Sequence, residues 1–273
     1  MCINFDVVID TANEYSVDMK SGLDTLQGIS EATRYIAETL LTDNVPKKLT
    51  HTKKVRTRLK KSFKGSYGQV FGLDIEDDLL KRKFKDIGAE VFAELMGYFV
   101  SEALYQEPLK LSPKAEKIVT DLGEKEEALI NQLRKSSLEK IHEVSTKFGH
   151  DVKLRYRKSS VDQTVLAKFD KTTVYALKPI SARNDVDITA SITRLNINTG
   201  NGRLLLSGES ETVAFGFSIE YKDVKIAAKK KFSENLNNNN GVHPDNWDVL
   251  KMIARPMKLK NGKIVKYIIK GIY

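Results

Sequence analysis

Residues 53–64 carry seven basic side chains and no acidic one. In an extended strand, successive side chains point to opposite faces. On that rule Lys54, Arg56, Arg58 and Lys60 share one face, and Val55, Thr57, Leu59 and Phe63 share the other. The design recurs at residues 152–157, where Lys153, Arg155 and Arg157 alternate with Val152, Leu154 and Tyr156. Such strands pack on one side and meet anions on the other. Lys and Arg neutralise phosphates without regard to base sequence, and binding of that kind falls steeply with salt. Arginine adds forked bonds to a phosphate. The candidate nucleic-acid-binding set is therefore Lys54, Arg56, Arg58, Lys60, Lys64, Lys153, Arg155 and Arg157. Tyr67, Phe71 and Tyr156 lie close in sequence and would stack on bases if exposed. Competing uses are an acidic protein partner, plain solubility, or a sheet edge guarded against aggregation with Phe71 and Tyr156 in the core.

No catalytic signature stands beside this feature. The phosphate-cradling string Gly-x4-Gly-Lys-Ser/Thr is absent, and Gly200-x-Gly202 lacks a third glycine and a following helix. The four histidines, His51, His142, His150 and His243, are scattered. Glu139-x-x-His142 matches half of a di-iron helical motif, but the second copy is missing, so a solvated helix face is the simpler reading. Glu220-Tyr221-Lys222 follows an apolar strand-like run and is similar to the core of PD-(D/E)xK nucleases. In that family an upstream Asp and the Glu hold a divalent cation while the Lys acts on water, and Asp185 or Asp187 would take the upstream part. A surface ion pair explains the same residues. No Gly-x-Ser-x-Gly elbow occurs, and Gly65-Ser66-Tyr67-Gly68 suits a hairpin turn. No cofactor or metal is expected.

At 273 residues, with 41% hydrophobic and 30% charged side chains, the chain is an ordinary globular one. Its net charge of +9 is uneven: residues 1–50 hold 4 basic and 8 acidic side chains, residues 51–72 hold 7 and none, and residues 181–273 hold 15 and 9. Cys2 is the only cysteine, which rules out an intrachain disulfide and a cysteine-cluster metal site. A reducing, cytosolic setting is expected, with no secretory leader and no apolar run long enough to span a bilayer.

The elements that would position these residues follow from periodicity. Residues 3–9 predict a strand and residues 21–41 a helix capped by Ser21. The basic strand then turns at Lys64-Gly65-Ser66 into a second strand over 67–75, giving β-α-β-β. Residues 76–106 and 114–147 predict a helical pair broken by Pro108 and Pro113, with Gly123 a second break point. Short strands are predicted at 152–157, 165–169 and 173–177. From Asp187 onward the chain reads as strands, with a short helix over 223–236, a polar loop at 237–240 and an Asn261-Gly262 hairpin.

The N-terminal layout, closing on Gly65-Ser66-Tyr67-Gly68-Gln69-Val70-Phe71, resembles an uncharacterised group of bacterial proteins. That resemblance implies an accessory protein of anti-phage defence or mobile-element loci, and supplies no catalytic residues. The reading is an α+β protein with an N-terminal β-α-β-β unit and helical hairpin (1–180) and a C-terminal small β-barrel, SH3-like or OB-like (181–273), the boundary falling near 179–185. The expected function is non-catalytic contact with nucleic acid as an accessory or sensor subunit. An oligomerising protein-interaction scaffold and a metal-dependent nuclease are the alternatives.

Overall fold

In β1 (Cys2–Asp10), Ile3, Phe5, Val7 and Ile9 are buried, while Asn4, Asp6 and Val8 occupy the opposite face. This strand is the centre of a five-stranded antiparallel sheet in the order β2-β3-β1-β4-β5. The neighbours are β2 (Val55–Phe63), β3 (Tyr67–Ile75), β4 (Asp151–Arg157) and β5 (Gln163–Phe169). The computed structural model describes residues 2–11, 16–50, 54–63 and 67–273. The chain divides into two units, Met1–Leu177 and Lys178–Tyr273.

Helices cover one face of the first sheet. The long helix α1 (Met19–Thr42) begins at Asp18, whose carboxylate accepts from the Ser21 amide at 2.9 Å, so the cap lies three residues before the serine expected to supply it. The apolar run over 76–106 divides into α2 (Asp78–Ile87) and α3 (Ala89–Ala103), because Gly88 adopts φ +86°. Gly123, at φ +55°, separates α4 (Pro113–Leu122) from α5 (Glu124–Gln132), as its position suggests. One π turn (Leu133–Ser137) then leads into α6 (Leu138–Ile141) and α7 (Glu143–Phe148). Residues 173–177, expected as a strand, form a 3-10 turn. The Asp170 carboxylate accepts from the amides of Thr172 and Thr173 and winds the chain at that point.

The second unit is a closed five-strand barrel. Its strands are β7 (Val186–Leu195), β8 (Gly202–Leu206), β9 (Thr212–Phe217), β10 (Leu250–Lys258) and β11 (Ile264–Ile272), preceded by the two-residue β6 (Ile180–Ser181). They run β7-β8-β9-β11-β10, and β10 pairs back onto β7. The β9–β11 pair is parallel and the others are antiparallel. This Greek-key closure, with α8 (Ile226–Asn239) between the third and fourth strands, is OB-like rather than SH3-like. The buried Phe232 of α8 packs on Phe215 and Phe217 inside the barrel.

The asparagine run read as a loop is mostly the end of α8. Asn235 accepts from the Ile192 amide at the bulge in β7, and Asn235 and Asn239 both donate to the Asp248 carbonyl. Among the described residues no helix is long and apolar enough to cross a membrane.

Within the first unit, Gly28 of α1 sits against the backbone of α6. A Cβ there would lie 2.6 Å from the Ser137 carbonyl oxygen and 2.7 Å from the Ile141 nitrogen. Gly28→Ala is therefore expected to lower the unfolding free energy by about 1–3 kcal/mol in denaturant titrations. Unchanged stability would refute this close helix crossing.

Candidate nucleic-acid interface

Side-chain direction on the basic strand is set by its register with β3. Arg56 and Arg58 pair with Asp74 and Gly72, and beyond a bulge at Lys60, Lys61 and Phe63 pair with Val70 and Gly68. All of these lie on the face of the sheet away from the helices. The bulge inserts one residue and reverses the alternation. Phe63 therefore joins the cations instead of facing away from them, as strict alternation had predicted. Val55, Thr57 and Leu59 keep the opposite face, although Leu59 is exposed.

Three rows of partners cross the sheet. Arg58 leads through Gly72 and Asn4 to Arg157. Lys61 leads through Val70 and Asp6 to Arg155, and Phe63 leads through Gly68 and Val8 to Lys153. At their centre Asp6 is 0% exposed. Arg155 Nη2 donates to Asp6 Oδ2 at 2.9 Å, and Arg157 Nε donates to Asp6 Oδ1. Both guanidiniums also stand over the Phe63 ring, at 5.6 and 5.2 Å from its centroid. That ring lies over Gly68, where a Cβ would come within 2.4 Å of it. Lys60 donates to the Asn4 side chain at 2.7 Å, and Lys61 is exposed and makes no ion pair among the described residues. Arg155 Nε is buried and has no acceptor.

The other end of the strand is neutralised. Lys54 pairs with Asp77, Arg58 with Asp74 at 2.8 Å, and Arg56 and Arg58 with Glu76 at 3.8 and 3.4 Å. The Lys54 bond and the amides of Leu79 and Leu80 hold the Asp77 carboxyl below its ordinary range. Lys153 lies 3.9 Å from Asp10. Of the sequence-read set, then, Lys54, Arg56 and Arg58 belong to an ion-pair lattice. Lys60, Arg155 and Arg157 gather about Phe63, with Lys153 at the border, and Lys64 and the turn through Ser66 lie outside the described residues. Phe71 and Tyr156, the proposed stacking residues, are buried, and Tyr67 pairs with the buried Ile9 on the same covered face. Sequence reasoning missed Lys61, Phe63 and Asp6. The one available signal was a small residue, Gly68, opposite an aromatic one.

The other candidate residues are engaged with partners of their own. His142 is fully buried, not on a solvated helix face. Its Nδ1 lies 2.7 Å from the Leu138 carbonyl and so carries the proton, while Nε2 lies 2.8 Å from the Thr173 hydroxyl. Glu220 and Lys222 pair with each other in an exposed turn beyond the end of β9, and this holds Glu220 below its ordinary range. Asp185 pairs with Arg255, and Asp187 accepts from the Tyr273 hydroxyl. Among the described residues no group of three or more His, Cys, Asp or Glu side chains is placed to hold a metal ion. A cavity of about 270 Å³ between α3 and β5 is lined by Tyr98, Leu109, Tyr156 and Val165, and its Glu94 carboxylate is occupied by the Ser112 amide and hydroxyl. No protein-family model, curated protein or solved structure matches the chain.

Asp6→Ala would leave two largely buried guanidiniums without their counter-charge, and is expected to cost about 3–5 kcal/mol in urea unfolding. A loss no larger than that of an exposed residue would show the carboxylate to be dispensable. Burial holds His142 below its ordinary pKa, so the unfolded chain binds the extra proton first. The stability this residue contributes is complete above about pH 6.5 and drains away as the pH falls below that value. Urea midpoints at pH 7, 6 and 5 should fall more steeply for the wild type than for His142→Gln. Parallel slopes would remove His142 as the titrating group.

Proposed function

We propose that this is a non-catalytic nucleic-acid-binding protein, an accessory or sensor subunit that meets phosphates on the open face of its N-terminal sheet. The observation that supports this reading is the cluster around Phe63. Arg155 and Arg157 share a single carboxylate, and Lys60 and Lys61 flank them from β2. Gly68 of β3 leaves room for the Phe63 ring, which reaches from β2 to the arginines of β4. The arginines are fixed in advance by Asp6 and by the aromatic ring, so little side-chain freedom is lost on binding. The half-exposed edge of Phe63 offers an apolar surface beside the phosphates.

Fluorescence anisotropy with labelled single-stranded DNA, duplex DNA and RNA, in a salt series, tests the reading. Wild type should bind at least one of them with affinity that falls steeply as salt rises. Lys60→Glu/Lys61→Glu, checked for folding, should lose roughly tenfold or more of that affinity at low salt. Binding that the variant leaves intact would remove the sheet face as the site. No binding to any of the three, together with self-association in sedimentation, would turn the assignment to a scaffold.

A further inference from the structure

Most of the chain's basic excess is in the barrel unit: residues 178–273 hold 16 basic and 9 acidic side chains, whereas residues 1–177 hold 29 and 27. Within the barrel, residues 251–273 hold seven basic side chains and no acidic one. They form the hairpin of β10 and β11, joined at Asn261-Gly262 with Gly262 at φ +88°. Met252, Ala254, Val265, Tyr267 and Ile269 are buried, so the cations take the outward and turn positions.

This hairpin differs from the first basic strand in what surrounds it. Arg255 is held by Asp185 at 2.7 Å and Lys263 lies 3.5 Å from Glu211, both carboxylates coming from elsewhere in the barrel. Lys251, Lys258, Lys260 and Lys270 are exposed and make no ion pair among the described residues. The outward positions of the two strands between the lysines are aliphatic, Ile253, Met257 and Ile268, and none is aromatic.

We propose that the β10–β11 hairpin is a second nucleic-acid surface, one that binds the phosphodiester backbone and does not read or stack bases. Exposed lysines act as strongly hydrated point charges with no fixed fork, a chemistry that follows charge density and not acceptor geometry. Base-reading single-strand surfaces use aromatic platforms; the outward positions of the two strands carry none, and the exposed Tyr273 just beyond β11 is tied to Asp187 through its hydroxyl. A specific protein partner is anchored chiefly by aromatic or arginine side chains, and here the only arginine is already held by Asp185. The surface is separate in sequence and in unit from the Phe63 cluster, and separate variants test the two assignments.

The test replaces Lys251, Lys258, Lys260 and Lys270 together by glutamine in the full chain and repeats the salt series with an oligonucleotide, its abasic counterpart and poly-glutamate. Each phosphate contact contributes about 0.7 to the slope of log affinity against log salt for single strands, so the variant's slope should fall by about 2–3. In the Lys60→Glu/Lys61→Glu background, which removes the sheet site, the chain should bind the abasic strand as well as the normal one, and poly-glutamate should compete poorly. A slope unchanged by the four substitutions, or no binding by the wild type, would overturn the hairpin site. Much weaker binding of the abasic strand would overturn backbone recognition, and poly-glutamate competing as well as the oligonucleotide would point to an acidic protein instead. Loss of binding in Lys60→Glu/Lys61→Glu alone, with the glutamine variant unaffected, would keep the sheet assignment and remove this one.

Discussion

A carboxylate with no solvent exposure sits on the side of the first sheet that no helix of its unit covers. Asp6 keeps its place there because two arginines from the adjoining strand close over it, one to each oxygen. Removing a charge from water costs several kcal/mol, and only close, hydrogen-bonded opposite charge offsets that. The requirement extends outward from the pair. β4 must lie beside β1 in one register, so that Arg155 stands opposite Asp6 and Arg157 opposite Asn4. Phe63 must come over Gly68 to give the guanidiniums a face to rest on, and the bulge at Lys60 turns it to that side. A single slipped residue in either pairing would turn these groups to the opposite face.

Two segments of this chain, residues 53–64 and 251–273, each carry seven basic side chains and no acidic one, and their neighbours give them different chemistry. Strand β2 faces Asp74 across the hairpin, with Glu76 and Asp77 just beyond, and its first half is neutralised pair by pair. These exposed pairs add little stability, since each gives back in side-chain ordering much of what it gains in attraction. Their effect is on the surface potential, which they flatten. In the β10–β11 hairpin the two strands pair with each other and neither carries a carboxylate, so its carboxylate contacts come from residues just before β9 and just before β7. Positive charge therefore persists there.

The sequence makes some of this legible and hides the rest for a consistent reason. Local period and turn chemistry place β1, α1, β3, α8 and the Asn-Gly hairpin closely, because each is specified by residues within it. The breaks at Gly88 and Gly123 are alike in kind, yet only the second interrupts a run that is already polar. The first lies inside a strongly apolar stripe, whose periodicity continues across it. The faces of β2 could not be read from β2 alone, since the bulge is a property of its pairing with β3. The same holds for charge: a count along the chain records Lys54, Arg56 and Arg58, whereas the potential depends on carboxylates more than fifteen residues away. His142 looked like a surface residue because its helix is amphipathic, and its burial depends on Thr173 from a distant turn.

The two basic surfaces also differ in how tightly their charges are held, and that difference bears on what each would do with a phosphate chain. Arg155 and Arg157 are held in place by a carboxylate and a ring, so a phosphate arriving beside them finds donors already oriented, and their geometry limits what fits. The cost is that Asp6 offsets part of their charge. The hairpin lysines keep their full charge and their side-chain freedom. Such groups attract polyanions from a distance and release counterions on contact, but they impose little geometry. Fixed arginines suit retention of a strand in one orientation, and mobile lysines suit its capture. With one such surface in each unit, the chain would have both capacities, and the proposed nucleic-acid contact would divide between capture and retention.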